Sequence, residues 1–317
     1  MMMTKYRSKL PQTQGQLFLT DGGLETTLIF HDGIDIPHFA AFTLLADKAG
    51  RDHLRRYFLR YASIARAGQT GFILEAPTWR ASPDWGAKLG YSTEALTKAN
   101  ADAIWLLEEV RAVCQSAEMP VVISGCIGPR GDGYNPAEIM SEEEAQTYHS
   151  LQVNTFANSA ADMITAMTIT NVPEAIGISR AANAAGIPLC LSFTVETDGR
   201  LPTGVSLRTA IEAVDKATGN GPAYYMINCA HPTHFTKALA SGEPWLRRIL
   251  AVRANASRRS HAELDNAENL DAGDPVELGR EYAELRALLP WLTVLGGCCG
   301  TDHRHIEQVC EHCVIEA

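Results

Sequence analysis

Gly71-Phe72-Ile73-Leu74-Glu75-Ala76 is the stretch that decides the fold, because it is a mostly apolar run of strand length followed by a long helical pattern. The helical pattern covers residues 93–116, and a second apolar run follows over residues 121–126. Short apolar runs of this kind are typical of parallel strands that are covered on both faces. The stretch and its neighbours therefore predict two parallel strands joined by a right-handed helical crossover.

The same alternation extends in both directions and repeats about eight times along the chain. Predicted strands cover residues 17–20, 71–76, 121–126, 163–169, 188–194, 223–228, 249–253 and 291–295. Predicted helices cover residues 52–67, 93–116, a segment that begins at 141, and residues 173–185, 207–217, 234–240, 275–288 and 302–315. Residues 255–274 are polar and predict a long loop. Eight such units predict an α/β fold, a closed (β/α)8 barrel that forms a single domain over residues 1–317.

An open doubly wound sheet is the rival architecture. That fold usually carries a glycine-rich dinucleotide loop after its first strand. Here the first predicted strand is followed by Asp21-Gly22-Gly23-Leu24-Glu25, which does not match the dinucleotide pattern. The barrel is therefore favoured.

The composition is that of a globular protein, since 46% of the 317 residues are hydrophobic and 20% are charged. Such a mix supports a core, and disorder is not expected. The formal net charge of −10 argues against nucleic acid and anionic membranes as partners. We interpret one basic stretch as a solvated loop or a contact with a partner subunit; it contains Arg247, Arg248, Arg253, Arg258 and Arg259.

The sequence shows no sign of a membrane or secretory segment. No apolar run reaches the ~20 residues that a membrane-spanning helix needs. Residues 1–10 are polar and basic and lack the apolar core of a secretory signal. We therefore expect a cytoplasmic protein with reduced thiols and no membrane partner. The sequence does not determine the oligomeric state, and a homo-oligomer is one of the options.

Three of the eight cysteines directly follow predicted strands. Cys229 follows the sixth strand, and Cys298 and Cys299 follow the eighth. The C-terminal ends of barrel strands open onto one face, where active sites lie, so these thiols are expected to meet there. Three thiolates suit Zn²⁺ and leave its fourth tetrahedral position open to a soft substrate such as a thiol. We therefore predict that Cys229, Cys298 and Cys299 are zinc ligands and the catalytic centre.

Two other roles for these cysteines stay open. A structural zinc would need a fourth protein ligand, for which His231 and His303 are candidates, although a histidine two residues past a strand is typically solvated. Cys298 and Cys299 alternatively form a vicinal disulfide, which is strained and rare. Gly296 and Gly297, directly before the pair, are expected to allow close approach of backbone and metal. Gly300, directly after the pair, is expected to allow a turn.

The other five cysteines are predicted to be structural. A lone buried cysteine usually behaves as an inert small hydrophobe, which is the role expected for Cys114, Cys126 and Cys190. Cys310 and Cys313 form a C-x-x-C pair on an amphipathic terminal helix. No second pair accompanies them, so we expect no metal there.

Five motifs occur in order along nearly the whole chain: residues 20–28 (TDGGLETTL), 127–131 (IGPRG), 192–200 (SFTVETDGR), 227–229 (INC) and 296–300 (GGCCG). Together they resemble the homocysteine S-methyltransferase family, which includes betaine–homocysteine and S-methylmethionine–homocysteine methyltransferases. The combination of Asn-Cys with Gly-Gly-Cys-Cys is the specific part of the resemblance.

The resemblance implies a (β/α)8 barrel with zinc held at the three cysteines. It implies that Asp21, Gly22, Gly23 and Leu24 hold the amino-acid end of homocysteine, largely through backbone groups. It also implies in-line attack of a zinc-bound thiolate on a methyl group carried by sulfur or nitrogen of a cationic donor. The expected partners are thus a small thiol acceptor and a methyl donor, and the product is methionine or a thioether.

One position departs from the family pattern. Met167 lies where the resemblance implies a glutamate that binds the substrate ammonium group, and a methionine cannot pair with that ion. Either Glu25, Glu75 or Glu196 takes this role, or the acceptor is a thiol other than homocysteine. Glu75 is favoured, because it ends an otherwise apolar strand.

Two further residues are assigned to the substrate site. Trp79 is expected to hold a cationic donor by its ring face, with core packing as the alternative. Asn228, within the Asn-Cys motif, is expected to contact substrate. The expected function is therefore a zinc-dependent S-methyltransferase, and a zinc- or thiol-binding sensor without turnover is the alternative. The lack of a histidine-rich ligand set disfavours a zinc lyase or hydrolase.

Overall fold

Eight parallel strands close into a barrel in a computed structural model that describes residues 4–136, 138–267 and 269–315. The strands follow one another in sequence order, and the last pairs with the first. The predicted (β/α)8 barrel is confirmed. The strands are β1 (Phe18–Leu19), β2 (Gly71–Glu75), β3 (Val121–Ile127), β4 (Met163–Ile169), β5 (Leu189–Phe193), β6 (Tyr224–Asn228), β7 (Ile249–Ala254) and β8 (Val294–Gly297).

Helices connect the strands and cover the outside of the barrel. The α-helices are α1 (Leu24–Thr26), α2 (Lys48–Ala67), α3 (Pro83–Lys88), α4 (Thr93–Cys114), α5 (Glu142–Ala157), α6 (Val172–Ala185), α7 (Leu207–Thr218), α8 (Pro232–Leu239), α9 (His261–Asp265), α10 (Pro275–Leu288) and α11 (His303–Cys310). Short 3-10 helices cover Pro11–Gln14, Pro37–Phe39, Ala41–Ala46 and Pro244–Arg248, and π-helical turns cover Thr27–His31 and Glu311–Ile315. Within the described ranges, every helix is too short or too polar to cross a membrane.

The predicted helix boundaries rest on local signals that the structure bears out. Ser141 accepts the backbone N–H of Glu144, whose carboxylate returns to the N–H of Ser141, so the predicted capping box begins α5. Gly186 ends α6 with a φ of 65°, the left-handed conformation that glycine adopts without steric cost.

Several elements differ from the sequence prediction. The polar span 255–274 is not wholly a loop, because Ser260 caps the short helix α9 within it. Helix α3 lies in a segment for which no helix was predicted. The eighth strand begins at Val294, three residues after the predicted start, because Leu292 is drawn into a turn by its hydrogen bond to the carbonyl of Leu289.

The interior of the barrel is apolar along most of its length and polar near the C-terminal ends of the strands. Side chains from alternate strand positions pack into one buried interior cluster, which includes Phe18, Ile73, Val122, Met163 and Met226. A larger apolar cluster fills the layer between the strands and the helices. The filled lower part of the barrel leaves the mouth formed by the strand ends as the place for polar chemistry.

The N-terminal segment is held against the barrel by one buried carboxylate. Asp162 accepts the backbone N–H groups of Lys5 and Tyr6, each at 2.8 Å, and the N–H of Ile123 at 3.0 Å. Its other partner is the Arg111 guanidinium, at 2.8 Å. Asp162 is completely buried. Removing it would leave Arg111 and three backbone donors without their acceptor.

We predict that Asp162→Ala lowers the free energy of unfolding by about 3–5 kcal/mol, the usual cost of leaving half of a buried ion pair. The matched control is Asp102→Ala, which removes the partner of Lys98 from an exposed pair on α4 and should cost under about 1 kcal/mol. Urea titrations of both variants measure the difference. Equal losses would contradict the role given to Asp162.

Candidate active site

The structure brings Cys229, Cys298 and Cys299 together at the C-terminal mouth of the barrel. Their three sulfur atoms lie within 4.8 Å of one another. The sulfurs of Cys229 and Cys298 are at bonding distance, as in a disulfide, and those of Cys229 and Cys299 are 4.0 Å apart. The bond therefore joins the ends of β6 and β8 rather than the two neighbouring cysteines. On reduction, the same three residues offer three thiolates to a metal.

Asn228 organises the cysteine cluster from below. Its amide nitrogen donates to the sulfur of Cys229 at 3.3 Å and lies 3.8 Å from that of Cys298. Its amide oxygen accepts the backbone N–H of Thr168 at 2.9 Å and the hydroxyl of Ser192. Asn228 is completely buried, and its side chain contacts the cysteine sulfurs and is not exposed to solvent.

The backbone is strained where the cluster is built. Cys229 has a φ of 53° and Thr168 a φ of 62°, a left-handed conformation that is unusual for any side chain and costly for a β-branched one. The pairing of β4 with β5 also shifts register between Ala166 and Ile169. This distortion brings the Thr168 hydroxyl to 3.6 Å from the sulfur of Cys229.

Residues 21–24 lie directly beside the cysteine pair. Gly297 donates its N–H to the carbonyl of Asp21 at 3.0 Å, and Gly23 donates to the carbonyl of Thr301 at 3.1 Å. A Cβ atom on Gly23 would lie 2.6 Å from the carbonyl oxygen of Cys298, so only glycine permits this approach. Gly300, with a φ of 79°, makes the turn after the pair, as the sequence predicts.

Arg253 lies inside the barrel, so its assignment to a solvated or subunit-contacting stretch was wrong. It occupies an inward position of β7, between Asn228 and Gly296 of the neighbouring strands, and is only 5% exposed. Its guanidinium donates to the carbonyls of Gly297 at 3.0 Å and Gly22 at 3.1 Å and pairs with the Asp21 carboxylate at 2.7 Å. The negative partner explains how the charge is tolerated in the interior.

Glu75 is the buried carboxylate of this site. One oxygen, Oε1, accepts the Thr165 hydroxyl at 2.8 Å, and Oε2 has no hydrogen-bond partner among the residues that the structure describes. Burial raises the pKa of Glu75 to about 7, against the opposing effect of Arg253. Burial likewise raises the pKa of the half-buried Glu25 to about 7, and the nearby Asp21 adds to that shift.

The other predicted substrate residues lie at the same mouth but are already engaged. The indole N–H of Trp79 donates to the carbonyl of Met167 at 3.3 Å, and the Arg80 guanidinium lies 4.0 Å from the centroid of the Trp79 ring. One ring face of Trp79 is thus covered by a cation. Glu196 is partly exposed and lies 3.3 Å from Nδ1 of His261.

The two candidate histidine ligands lie apart from the cysteines. His231 is buried rather than solvated as expected, because Thr233 contacts its Nδ1 and Glu281 lies 3.2 Å from its Nε2. Burial lowers the pKa of His231 to about 4. Across residues 4–136, 138–267 and 269–315, the only set of three or more potential ligands close enough to share a metal is the three cysteines, so neither His231 nor His303 belongs to it.

Two aromatic residues beside the cluster, Tyr134 and His261, were not predicted from the sequence. The hydroxyl of Tyr134 lies 3.4 Å from the sulfur of Cys299, and its ring stacks on His261 at a centroid distance of 4.0 Å. His261 also contacts the backbone carbonyl of Cys229 through Nε2, at 2.5 Å. Neither residue lies in a strand or a motif, so no sequence signal marked them.

The fold and the site together define a (β/α)8-barrel protein with a cysteine-based centre at the C-terminal mouth of its strands. The sequence model described as homocysteine S-methyltransferase matches residues 18–313. The chain belongs to this family, which confirms the resemblance seen in the sequence.

Individual relatives are distant in sequence but extend along the whole chain. Selenocysteine Se-methyltransferase of Brassica oleracea var. italica is 24% identical over 328 residues, which cover 95% of this chain and 90% of that protein. The homocysteine methyltransferase MmuM of Escherichia coli, in its oxidized and metallated crystal forms, superposes with a TM-score of 0.74 at 18% identity. Each superposition covers 95% of this chain and 97% of MmuM and shows a shared fold.

The raised pKa of Glu75 predicts a pH-dependent cost to stability. The folded state holds this proton up to about pH 7, whereas the unfolded chain loses it near the ordinary value of 4.5. The free energy of unfolding therefore falls as the pH rises from 4.5 to 7. Glu75→Gln removes this penalty, so without substrate the variant should be more stable than the parent by about 2–3 kcal/mol at pH 8.

Thermal unfolding of both proteins from pH 4.5 to pH 8 checks this prediction, with the exposed Glu284→Gln as the control. The stabilisation by Glu75→Gln should fall to about 0.4 kcal/mol at pH 4.5, where the folded state is protonated and the unfolded state is half protonated. A variant that is destabilised equally at every pH would show that ionisation of the Glu75 carboxylate does not lower the free energy of unfolding.

Proposed function

We propose that this chain is a zinc-dependent S-methyltransferase that transfers a methyl group from a small sulfonium or ammonium donor to homocysteine or a related thiol. The observation that carries the proposal is the convergence of Cys229, Cys298 and Cys299 within 4.8 Å at the mouth of the barrel. Membership of the homocysteine S-methyltransferase family supports the reaction class. The product would be methionine when homocysteine is the acceptor.

The residues present fit a zinc ion. Three reduced cysteines form a soft donor set of the kind zinc prefers, and they leave one tetrahedral position for a substrate atom. The fold is shared with MmuM, for which a metallated form exists. When bound, zinc lowers the pKa of a coordinated thiol and so supplies a thiolate nucleophile near neutral pH.

The chain itself supplies orientation and charge. The Asn228 amide donates to the cysteine sulfurs and so stabilises their anionic form. Residues 21–24 would hold the acceptor beside Cys298, where their backbone already lies. Correct placement of acceptor and donor for in-line transfer is worth several kcal/mol in such reactions.

Charge at the mouth favours cationic substrates. Three carboxylates, Asp21, Glu25 and Glu75, lie near two buried arginines, Arg80 and Arg253, so negative charge exceeds positive by one when all are ionised. An ammonium group or a sulfonium donor would offset this excess. Transfer of the methyl group from such a donor to a thiolate neutralises both charges, which a buried site promotes.

Met167 makes the identity of the acceptor an experimental question. Its side chain is buried in the interior cluster and offers no charge to an ammonium group. Glu75 is our candidate for that role, because its Oε2 atom is buried without a partner. Since one relative is named a selenocysteine Se-methyltransferase, selenols belong in the acceptor screen beside thiols.

A zinc- or thiol-binding sensor without turnover is the second candidate. The observation that favours it is the clustering of the three cysteines, since such a set of thiols can bind a metal or be oxidised without any further catalytic group. Turnover with a defined donor separates the two candidates.

We predict that reduced protein purified with zinc carries about one zinc per chain, and that Cys229→Ala, Cys298→Ala and Cys299→Ala each lose most of it. Cys190→Ala is the matched control, because that thiol is also buried in the barrel interior but lies outside the cluster. Elemental analysis of the four variants gives the result. Full zinc in the cluster variants would reject the assignment.

We predict methyl transfer when thiols and selenols are crossed with sulfonium and ammonium donors and the products are identified by mass spectrometry. His231→Ala should keep appreciable activity, because His231 contacts Thr233 and Glu281 rather than the cysteines. Cys299→Ala should lose activity. If His231→Ala were inactive with its zinc intact and Cys299→Ala remained active, histidine-assisted chemistry would replace the metal mechanism.

A further inference from the structure

Two charged side chains in the barrel interior each keep one polar atom without a partner. Arg253 Nη1 and Glu75 Oε2 are both buried and make no hydrogen bond within the part of the chain that the structure describes. Both residues are more than nine-tenths buried, at 5% and 7% exposure. A buried charged group with an unmet hydrogen bond is destabilising, so such atoms call for a ligand.

The two residues act on the same interior space. Glu75 ends β2 and Arg253 lies on β7, and both occupy inward positions near the mouth. The thiol of Cys126 on β3 is influenced by both, since burial raises its pKa, Glu75 raises it further and Arg253 lowers it. The Arg253 charge in turn opposes the raised pKa of Glu75. Both residues thus present a buried, unpartnered polar atom to the interior of one barrel, from strands that lie three apart in the closed sheet.

The orientation of Arg253 is fixed by its other contacts. Its Nε donates to Gly297, directly before Cys298, and its Nη2 contacts Gly22 and Asp21 in the segment assigned to the acceptor. A guanidinium is a rigid planar fork, so these bonds also fix the direction of Nη1. The unpartnered nitrogen is therefore held inside the barrel by the bonds that its neighbours make to the segment after β1 and to the end of β8.

An α-amino acid presents the matching pair of charges. Its carboxylate accepts the N–H groups of Arg253 Nη1, and its ammonium group donates to Glu75 Oε2, which also favours the ionised form of that carboxylate. A thiol on the side chain of the same amino acid would then extend toward the cysteines. A thiol that lacks either charged group leaves one buried atom unpaired.

We propose that Arg253 and Glu75 form the recognition site for the zwitterionic end of the acceptor, with Arg253 on the carboxylate and Glu75 on the ammonium group. This inference rests on the proposed function and deepens it, and it gives the arginine of β7 a specificity-determining role.

Calorimetric binding to the reduced, zinc-loaded full chain tests the inference without a methyl donor. Three ligands are compared: homocysteine, its decarboxylated analogue aminopropanethiol and its deaminated analogue mercaptobutanoate. The parent protein should bind homocysteine about 10- to 100-fold more tightly than either analogue, the usual effect of one unpaired charged group.

The variants separate the two contacts. Arg253→Met should lose the preference for homocysteine over aminopropanethiol and keep the preference over mercaptobutanoate. Glu75→Gln should lose the preference over mercaptobutanoate and keep the preference over aminopropanethiol. Arg253→Lys should restore part of the lost preference, because it keeps the charge but not the fork. Arg258→Met, at an exposed arginine paired with Glu277, is the control and should leave both ratios unchanged.

Each ratio is measured within one variant, so a smaller folded fraction cancels. Glu75→Gln leaves the pair between Arg253 and Asp21 in place and tests its half independently. Equal affinity of the parent protein for homocysteine and aminopropanethiol would overturn the inference and leave the proposed function standing. An unchanged ratio of the affinities for homocysteine and aminopropanethiol in Arg253→Met would overturn the inference in the same way. Failure of the zinc-loaded parent to bind any of the three thiols would overturn the proposed function together with the inference.

Discussion

The buried ion pair between Arg253 and Asp21 is the contact on which the geometry of the site depends. It joins the end of β7 to the segment after β1, and the same guanidinium holds the carbonyl of Gly297 at the end of β8. Breaking a buried pair of this kind is costly, because the remaining charge has no solvent to stabilise it. The pair therefore holds the segment after β1 and the cysteine pair after β8 in a fixed relative position.

Close backbone packing extends this constraint to the cysteine cluster. Gly23 and Gly297 let the segment after β1 approach the end of β8, and Asn228 connects Cys229 to the distorted end of β4. The strained conformation of Thr168 is tolerated because its N–H and hydroxyl are both bound by Asn228. Rigid support of this kind is what a site needs to hold ligands in one geometry.

The sequence predicts the barrel and the meeting of the cysteines because both follow from local pattern and topology. Apolar runs mark the strands, and cysteines at the ends of β6 and β8 must lie on one face once the sheet closes. Arg253 could not be placed in this way. Its neighbours along the chain include several surface arginines, and its partner Asp21 is distant in sequence. The one sequence signal for an interior position was its place two residues after Ala251 on the same strand, because alternate strand residues face the same side of the sheet. Tyr134 and His261 depend on how two loops fold over the mouth, which local propensity does not encode.

We propose that the three cysteines hold a zinc ion that receives the acceptor thiol. X-ray absorption at the zinc edge of the reduced, zinc-loaded chain, before and after addition of homocysteine, tests this proposal. We expect three sulfur neighbours at about 2.3 Å without homocysteine and four with it. A zinc shell made of nitrogen and oxygen, or a sulfur count that homocysteine does not change, would contradict it.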